Sequence, residues 1–164
     1  MKKFAALLLA MMLVLPMAAM AEAVPSPSAD AFSSASVSNY YEQYALTGDA
    51  LMDAVNSQSG TYLIVTVNPD GSPNAGVFIF AIKKLNDKYY LQLGLAENQT
   101  KANLEANGNG LAIYAAAPSE KPYAVAGARF YFEQIADQAI VDELMKDARQ
   151  GAMFFEITEV LPLG

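Results

Sequence analysis

The stretch that decides the fold is residues 61–95, which read TYLIVTVNPDGSPNAGVFIFAIKKLNDKYYLQLGL. Residues 61–67 are rich in β-branched and aromatic side chains, which favour a strand. Residues 68–71 are a strong turn signal, because Pro69 fixes one φ angle and Gly71 accepts a positive one. A second strand over 72–83, a tight turn at Asn86-Asp87 and a third strand over 88–95 follow. The stretch therefore predicts an antiparallel three-stranded meander.

Further elements flank this meander on both sides. Helical spacing of apolar residues predicts a helix over 38–55, with Gly48 as an interruption. A short polar helix over 98–107 should stop at Gly108, because glycine accepts the left-handed conformation at helix ends. The remaining predicted elements are strands over 111–117 and 123–135, with Gly127 a possible bulge, a helix over 137–150 and a last strand over 152–161. Six such strands with few helices predict a mainly β (α+β) protein, a small antiparallel barrel with short flanking helices.

The last predicted helix carries its own start signal and an apolar face. Asp137 is a residue type that accepts hydrogen bonds from the first free N–H groups of a helix. Helical spacing predicts that four apolar residues point inward: Ile140, Val141, Leu144 and Met145.

The amino terminus has the features of a secretory signal peptide. Two lysines follow Met1, residues 4–20 carry no charge, and Ala19-Met20-Ala21 is a small-x-small cleavage site. The sequence predicts a signal peptide over 1–21, cleaved after Ala21, and a secreted or periplasmic protein; an uncleaved membrane anchor is the alternative. Residues 22–37 are mostly Pro, Ser and Ala and predict a flexible linker. A single domain is then expected over 38–164.

The composition limits the partners that the protein can bind and the reactions that its side chains can catalyse. The chain has 10 basic and 17 acidic residues, a net charge of −7. Removing residues 1–21 takes away two lysines and leaves −9 (8 − 17). Such a charge repels nucleic acid and anionic membranes, so we expect neither as a partner. The chain has no Cys and no His, which excludes thiol catalysis, histidine bases and the commonest metal sites. No catalytic residue can be named, so any hard chemistry would fall to a cofactor.

Several motifs, in order, resemble the pyridoxamine 5′-phosphate oxidase-like family of FMN-binding split barrels. They are Asp70-Gly71-Ser72-Pro73 in the first turn, Tyr89-Tyr90-Leu91 in the third strand, the run KANLEAN over 101–107 and the run LAIY over 111–114. The resemblance covers about residues 40–160. It implies a six-stranded antiparallel split β-barrel that forms a homodimer and binds FMN in grooves between the subunits.

The resemblance also assigns five cofactor-binding residues. Lys101 matches the family lysine that contacts the FMN phosphate, and Thr100 could donate a hydroxyl hydrogen bond to it. A helix start is a suitable place for an anion, because it presents free N–H groups. The second strand contributes groups to the flavin ring, which indicates Asn74, Ala75 and Gly76. Gly76 would let a planar ring approach the backbone.

The sequence leaves two main hypotheses of function open. The first is an exported, flavin-dependent oxidoreductase that acts on a small molecule. The second is a non-catalytic ligand-binding or interaction domain on the same barrel with a degenerate flavin site, since Thr100 stands where many members have a second basic residue and Glu97 lies close by. A site for a deazaflavin is a third alternative. A vitamin B6 oxidase is not expected, because its substrate-binding Arg and His residues have no counterpart here.

Overall fold

A computed structural model describes residues 43–117 and 125–163. The predicted signal peptide and linker lie outside these residues. The helices and strands, in chain order, are α1 (Gly48–Asn56), β1 (Thr61–Val67), β2 (Pro73–Val77), β3 (Phe80–Leu85), β4 (Lys88–Gly94), α2 (Gln99–Asn107), β5 (Asn109–Ala115), β6 (Gly127–Gln134), α3 (Gln138–Met145) and β7 (Ala152–Leu161).

The seven strands form one antiparallel sheet in the order β2-β1-β5-β6-β7-β4-β3. Its two edge strands, β2 and β3, are consecutive in the chain and are separated only by Phe78 and Ile79. β2 pairs with β1, with Val77 opposite Leu63, whereas β3 pairs with β4. The sheet therefore curls until its edges meet at a two-residue bend, which gives a barrel-like fold that hydrogen bonds do not close.

This bend corrects the predicted strand count. The sequence predicted six strands with one strand over 72–83, whereas the structure divides that segment and has seven strands. The division follows from hydrogen bonding, because each half of the segment pairs with a different neighbour. Residues 73–77 form backbone hydrogen bonds with β1, and residues 80–85 form them with β4. The chain must therefore bend between the two halves.

The core fills the inside of the curled sheet. Along β1, Tyr62, Ile64 and Thr66 are buried while their neighbours are not, as expected when alternate side chains point to opposite faces. Aromatic rings from separate strands meet here, with the ring centroids of Tyr62 and Phe80 5.0 Å apart and those of Phe80 and Phe130 5.7 Å apart. Each fully buried side chain of this size contributes about 1.5–3 kcal/mol to stability.

A smaller cluster forms where α3 packs on the outside of the sheet. Tyr90, Leu144 and Phe154 are buried in it. The Asp137 side chain accepts a hydrogen bond from the N–H of Ala139 at 2.9 Å, which confirms the predicted start of this helix. Met145 was predicted to point inward, but it is 38% exposed and is the last residue of α3.

Two predictions at glycines need correction. The first helix begins at Gly48, the residue predicted to interrupt it. Gly127 does not form a bulge, since the irregular pairing of β6 with β7 lies between Tyr131 and Phe132. A Cβ at Gly127 would lie 2.2 Å from the carbonyl oxygen of Tyr114, so this glycine is needed for close packing of two backbones. Within residues 43–117 and 125–163, no helix is both long and apolar enough to cross a membrane.

Candidate functional site

The five residues assigned to the cofactor lie on two elements that touch. Thr100 and Lys101 are in the first turn of α2, and Asn74, Ala75 and Gly76 are in β2. The Asn74 side-chain amide donates a hydrogen bond to the Thr100 hydroxyl oxygen, with Nδ2 and Oγ1 2.9 Å apart. The structure therefore brings the start of α2 against the edge strand of the sheet.

A buried network of neutral polar side chains holds α2 in this position. The Thr66 hydroxyl oxygen accepts hydrogen bonds from the amides of Asn74 at 3.2 Å and Asn103 at 3.0 Å. The Asn103 amide also donates to Asn68 at 2.9 Å, and its oxygen accepts from Gln99 at 2.7 Å. Thr66 and Asn103 are only 2% and 3% exposed, and buried polar groups must be satisfied in this way.

Sequence reasoning did not assign the network's central residues, Thr66 and Asn103. Each of them is a polar residue at a position where the sequence pattern predicts burial. Thr66 is a hydroxyl residue at an inward position of an otherwise apolar strand, and Asn103 is an amide next to the buried Leu104. Neither signal identifies a partner, because the residues that bond are 37 positions apart.

Thr100 serves the network as well. Its side chain is 3% exposed, and its hydroxyl oxygen accepts the hydrogen bond from Asn74. The hydroxyl thus lies inside the contact between α2 and β2 rather than on the surface of the helix start. In this position, Thr100 anchors the first turn of α2.

The first turn of α2 has free N–H groups and a capping side chain. Asn98 precedes the helix, and its side-chain oxygen accepts a hydrogen bond from the N–H of Lys101 at 2.9 Å. The N–H groups at positions 99 and 100 precede the first residues that have intrahelical acceptors. Together with the helix dipole, they give this end of α2 a partial positive charge. A phosphate or carboxylate would be stabilised here.

Lys101 adds a full positive charge beside that turn, but acidic residues already hold it. Its ammonium forms an ion pair with Glu97 and lies 3.6 Å from a carboxylate oxygen of Glu105. The hydrogen bond that the ammonium donates to Glu97 is the main reason that the pKa of Lys101 is raised. Lys101 is 22% exposed at its side chain and Glu97 is 87% exposed. An incoming anion would therefore have to replace Glu97, which is free to turn into solvent.

The flavin-ring end of the assigned site is occupied differently than expected. A Cβ on Gly76 would lie 2.4 Å from Cε2 of Phe78. The open face predicted at Gly76 is thus filled by the protein's own aromatic ring. Ala75, on the opposite face of β2, is exposed. The phosphate end of the site fits a flavin nucleotide, whereas the side-chain face of Gly76 does not offer room for its ring.

The sheet also presents an apolar outer face, formed by outward side chains of β2, β1, β5 and β6. In the pairing of these strands, Leu63 lies between Val77 and Ile113, and Val65 lies opposite Leu111. Val77 is 73% exposed, and no helix covers this face in the part of the chain that the structure describes. Contiguous apolar surface at this level of exposure is a feature that interaction sites share.

The arrangement of the acidic residues in the described part of the chain bears on metal binding. Among the described residues, no group of three or more Asp or Glu side chains is placed to hold a metal ion.

No protein-family model and no curated protein matches this sequence. Solved structures do match. An FMN-binding protein from Syntrophomonas wolfei subsp. wolfei superposes with a TM-score of 0.52 at 17% identity, over 71% of this chain and 85% of that one. A Lactobacillus delbrueckii protein described as a candidate pyridoxamine 5′-phosphate oxidase gives a TM-score of 0.45 at 19% identity, over 66% and 90%.

A third similar structure has a different named role. HutZ from Vibrio cholerae, described as a haem storage protein, gives a TM-score of 0.42 at 15% identity over 67% of this chain and 90% of that one. Identities this low show the fold alone. The seven-stranded curled sheet, the polar helix between its fourth and fifth strands and the Syntrophomonas superposition together show that this chain has the fold of the pyridoxamine 5′-phosphate oxidase-like, FMN-binding split barrels.

Proposed function

We propose that this chain is an exported, homodimeric FMN-binding protein and acts as a flavin-dependent oxidoreductase on a small molecule. The observation that carries the proposal is the position of Lys101 in the first turn of α2, which the Thr100–Asn74 hydrogen bond fixes against β2. A cation and free N–H groups at one helix start are what a phosphate requires. The same place in the fold is the one that the resemblance assigns to the FMN phosphate.

In this proposal each residue has a limited task. Lys101 and the N–H groups of the first turn bind the phosphate once Glu97 has turned away. Asn74 and Thr100 orient that turn and do not touch the phosphate. Ala75, exposed on β2, lies on the side from which the ring can approach. A bound flavin supplies hydride transfer, which no side chain of this protein can provide.

The homodimer is supported by the apolar outer face of β2, β1, β5 and β6. Its central residues are Val65 and Leu111, with Tyr131 beside them in the next strand. A two-fold dimer places the same patch of both subunits in contact. Such burial removes the exposed surface of Val77 and Tyr131 from water. Export rests on the signal-peptide features of residues 1–21 and is tested by finding the amino terminus at Glu22.

A non-catalytic role has its own supporting observations. Lys101 is shared between Glu97 and Glu105, so the phosphate site has a local charge of −1 before any ligand arrives. Phe78 also covers the face of Gly76. Both features weaken binding of a flavin phosphate, and they favour a ligand-binding or interaction domain that has kept the barrel without the cofactor.

The two candidate functions are separated by an absorbance spectrum of the full-length chain before and after incubation with FMN. The oxidoreductase proposal expects flavin bands that stay with the protein through gel filtration and disappear on reduction with dithionite. If the protein takes up no FMN at tens of micromolar, the flavin proposal is wrong and the non-catalytic role is left. Riboflavin in a parallel sample shows whether the phosphate contributes to binding.

A further inference from the structure

A groove with a volume of about 460 Å³ lies on the far side of the bend from the predicted flavin residues. Four separate segments of the chain form it. They are Gln58 after α1, residues 79–81 at the start of β3, residues 92–94 at the end of β4, and residues 149, 150 and 152 around the start of β7. None of the five residues assigned to FMN lines this groove.

The groove combines apolar surface with polar groups that are either positively charged or neutral. Ile79, which is 65% exposed, and the half-buried Ala81 and Ala152 provide apolar surface. The polar side chains are the guanidinium of Arg149 and the amides of three glutamines: Gln58, Gln92 and Gln150. No Asp or Glu of the described part of the chain lines the groove. That is unusual in a protein with a net charge of −7.

Arg149 differs from most basic residues of this protein in its surroundings. Lys84, Lys88, Lys101 and Lys146 each lie within 4 Å of a carboxylate. The guanidinium of Arg149 has neither an ion pair nor a hydrogen bond with any residue in the ranges 43–117 and 125–163. Its charge is therefore available to a ligand in the groove.

A second positive charge, that of Lys83, lies near the groove. Lys83 is two residues from Ala81 of the groove, and it lies over the ring of Phe154 at 5.7 Å rather than beside a carboxylate. Ala81 and Lys83 share one face of β3, because side chains alternate along a strand. Lys83 thus adds a second positive charge on the face of β3 that carries Ala81, and no acidic residue of the described part of the chain lines the groove itself.

We propose that this groove binds a small organic carboxylate with a flat apolar body. A guanidinium binds a carboxylate through two parallel hydrogen bonds, which makes Arg149 the anchor. The amides of Gln92 and Gln150 bind the polar end of the ligand, and Ile79, Ala81 and Ala152 contact its apolar body. The volume of the groove lies within the range of about 300–1,000 Å³ that is usual for small-molecule sites.

The test follows side-chain signals of the full-length, flavin-free chain by ¹H–¹⁵N NMR during titration with 2-naphthoate. We expect saturable shifts of the Arg149 Nε–H and of the Gln92 and Gln150 amide groups, with a dissociation constant of about 1 mM or below for a ligand of this size. The neutral isostere 2-naphthamide should bind at least about tenfold more weakly, since it lacks the charge that pairs with Arg149.

Two variants complete the test. Arg149→Gln should weaken 2-naphthoate binding about tenfold, because it removes the charge-assisted hydrogen bonds. Lys146→Gln is the matched control: it removes one positive charge three residues away, from a lysine that is paired with Glu143, and it should leave binding unchanged. Equal binding of the amide and the carboxylate, an unchanged affinity in Arg149→Gln, or no saturation at about 10 mM would each overturn the proposal. Because FMN is absent throughout, the result does not depend on the flavin proposal.

Discussion

The side-chain amide of Asn103 donates a hydrogen bond to the hydroxyl oxygen of Thr66 at 3.0 Å, and this bond joins α2 to the inside of β1. Thr66 accepts a second hydrogen bond from Asn74 of β2. A single hydroxyl therefore connects the helix that starts at the proposed phosphate site with both strands beneath it. The position of that helix depends on a few neutral polar contacts, because α2 buries only one large apolar side chain, Leu104.

Replacing Asn103 with Ala should destabilise the protein by about 1–3 kcal/mol. The substitution removes the donor to Thr66 and leaves buried polar groups without a partner. Urea unfolding followed by circular dichroism measures the change. Asn109→Ala is the control, since the Asn109 amide bonds the carbonyl of Asn107 at an exposed site and its loss should cost less than about 0.5 kcal/mol. Equal effects of the two substitutions would contradict a structural role for the network.

Replacing Lys101 with Ala should weaken FMN binding about ten- to hundredfold. A hydrogen bond to a charged group contributes about 1.5–3 kcal/mol, and every 1.4 kcal/mol is about a factor of ten in affinity. Flavin fluorescence quenching measures the dissociation constants. Riboflavin binding should change little, because it has no phosphate for Lys101 to contact.

The matched control for that experiment is Lys88→Ala. Lys88 lies on β4 and pairs with the half-buried Glu156 carboxylate at 2.6 Å. Its removal alters the net charge equally without changing a residue of the helix start. If Lys88→Ala and Lys101→Ala weaken FMN binding to the same extent, the effect is one of overall charge, and Lys101 has no specific role.

Local signals in the sequence predicted most of the elements. The turn at residues 68–71 is confirmed by a hydrogen bond from the N–H of Gly71 to the carbonyl of Asn68 at 2.9 Å. Asn86 and Asp87 both have positive φ angles, 51° and 61°, as a tight hairpin turn needs. Gly108 ends α2 with a φ of 69°. In each case the cause lies within a few residues, so a short stretch of sequence contains it.

Features that depend on contacts between distant residues could not be predicted from the sequence pattern. The bend at Phe78 and Ile79 lies in a continuous apolar run without Gly, Pro or Asn, and only the pairing of its two halves with β1 and β4 reveals it. The ring of Phe78 over Gly76 follows from the same bend. The ion pairs of Lys101 with Glu97 and Glu105 are an exception, because both join residues four positions apart in the chain.

Replacing Val65 with Asp should convert the proposed homodimer to a monomer. Val65 points outward on β1 between Ala75 and Leu111, so a carboxylate there would be desolvated at the interface without a partner. Light scattering during gel filtration should give twice the mass of one chain for the wild type and a single-chain mass for the variant. Met145→Asp adds the same charge at an exposed site on α3 and should remain dimeric. A monomeric wild type would rule out the homodimer at once.

Stability should fall steeply above about pH 10, and Tyr114 should account for part of that fall. Burial raises the pKa of Tyr62, Tyr90 and Tyr114 above the usual value of 10.0. The unfolded chain therefore loses these phenolic protons first as the pH rises, and it binds fewer protons than the folded state. Under this condition, the free energy of unfolding decreases with increasing pH, whereas below about pH 10 the contribution is fully present.

Tyr114→Phe isolates one of these groups, since the phenylalanine has no proton to lose. The single proton of the Tyr114 hydroxyl has two acceptors in reach, the carbonyl oxygens of Ser59 at 2.7 Å and Ala54 at 3.0 Å. The variant loses this donor and should be less stable at pH 8 by about 1 kcal/mol or more. Its stability should nevertheless decline less between pH 10 and pH 12 than that of the wild type, as urea unfolding at each pH would show. Tyr89→Phe is the control, since the Tyr89 hydroxyl donates to the exposed Asp49 carboxylate at 2.8 Å, and it should keep the wild-type decline. If Tyr114→Phe declines as steeply as the wild type, the raised pKa of Tyr114 does not contribute to the alkaline loss of stability.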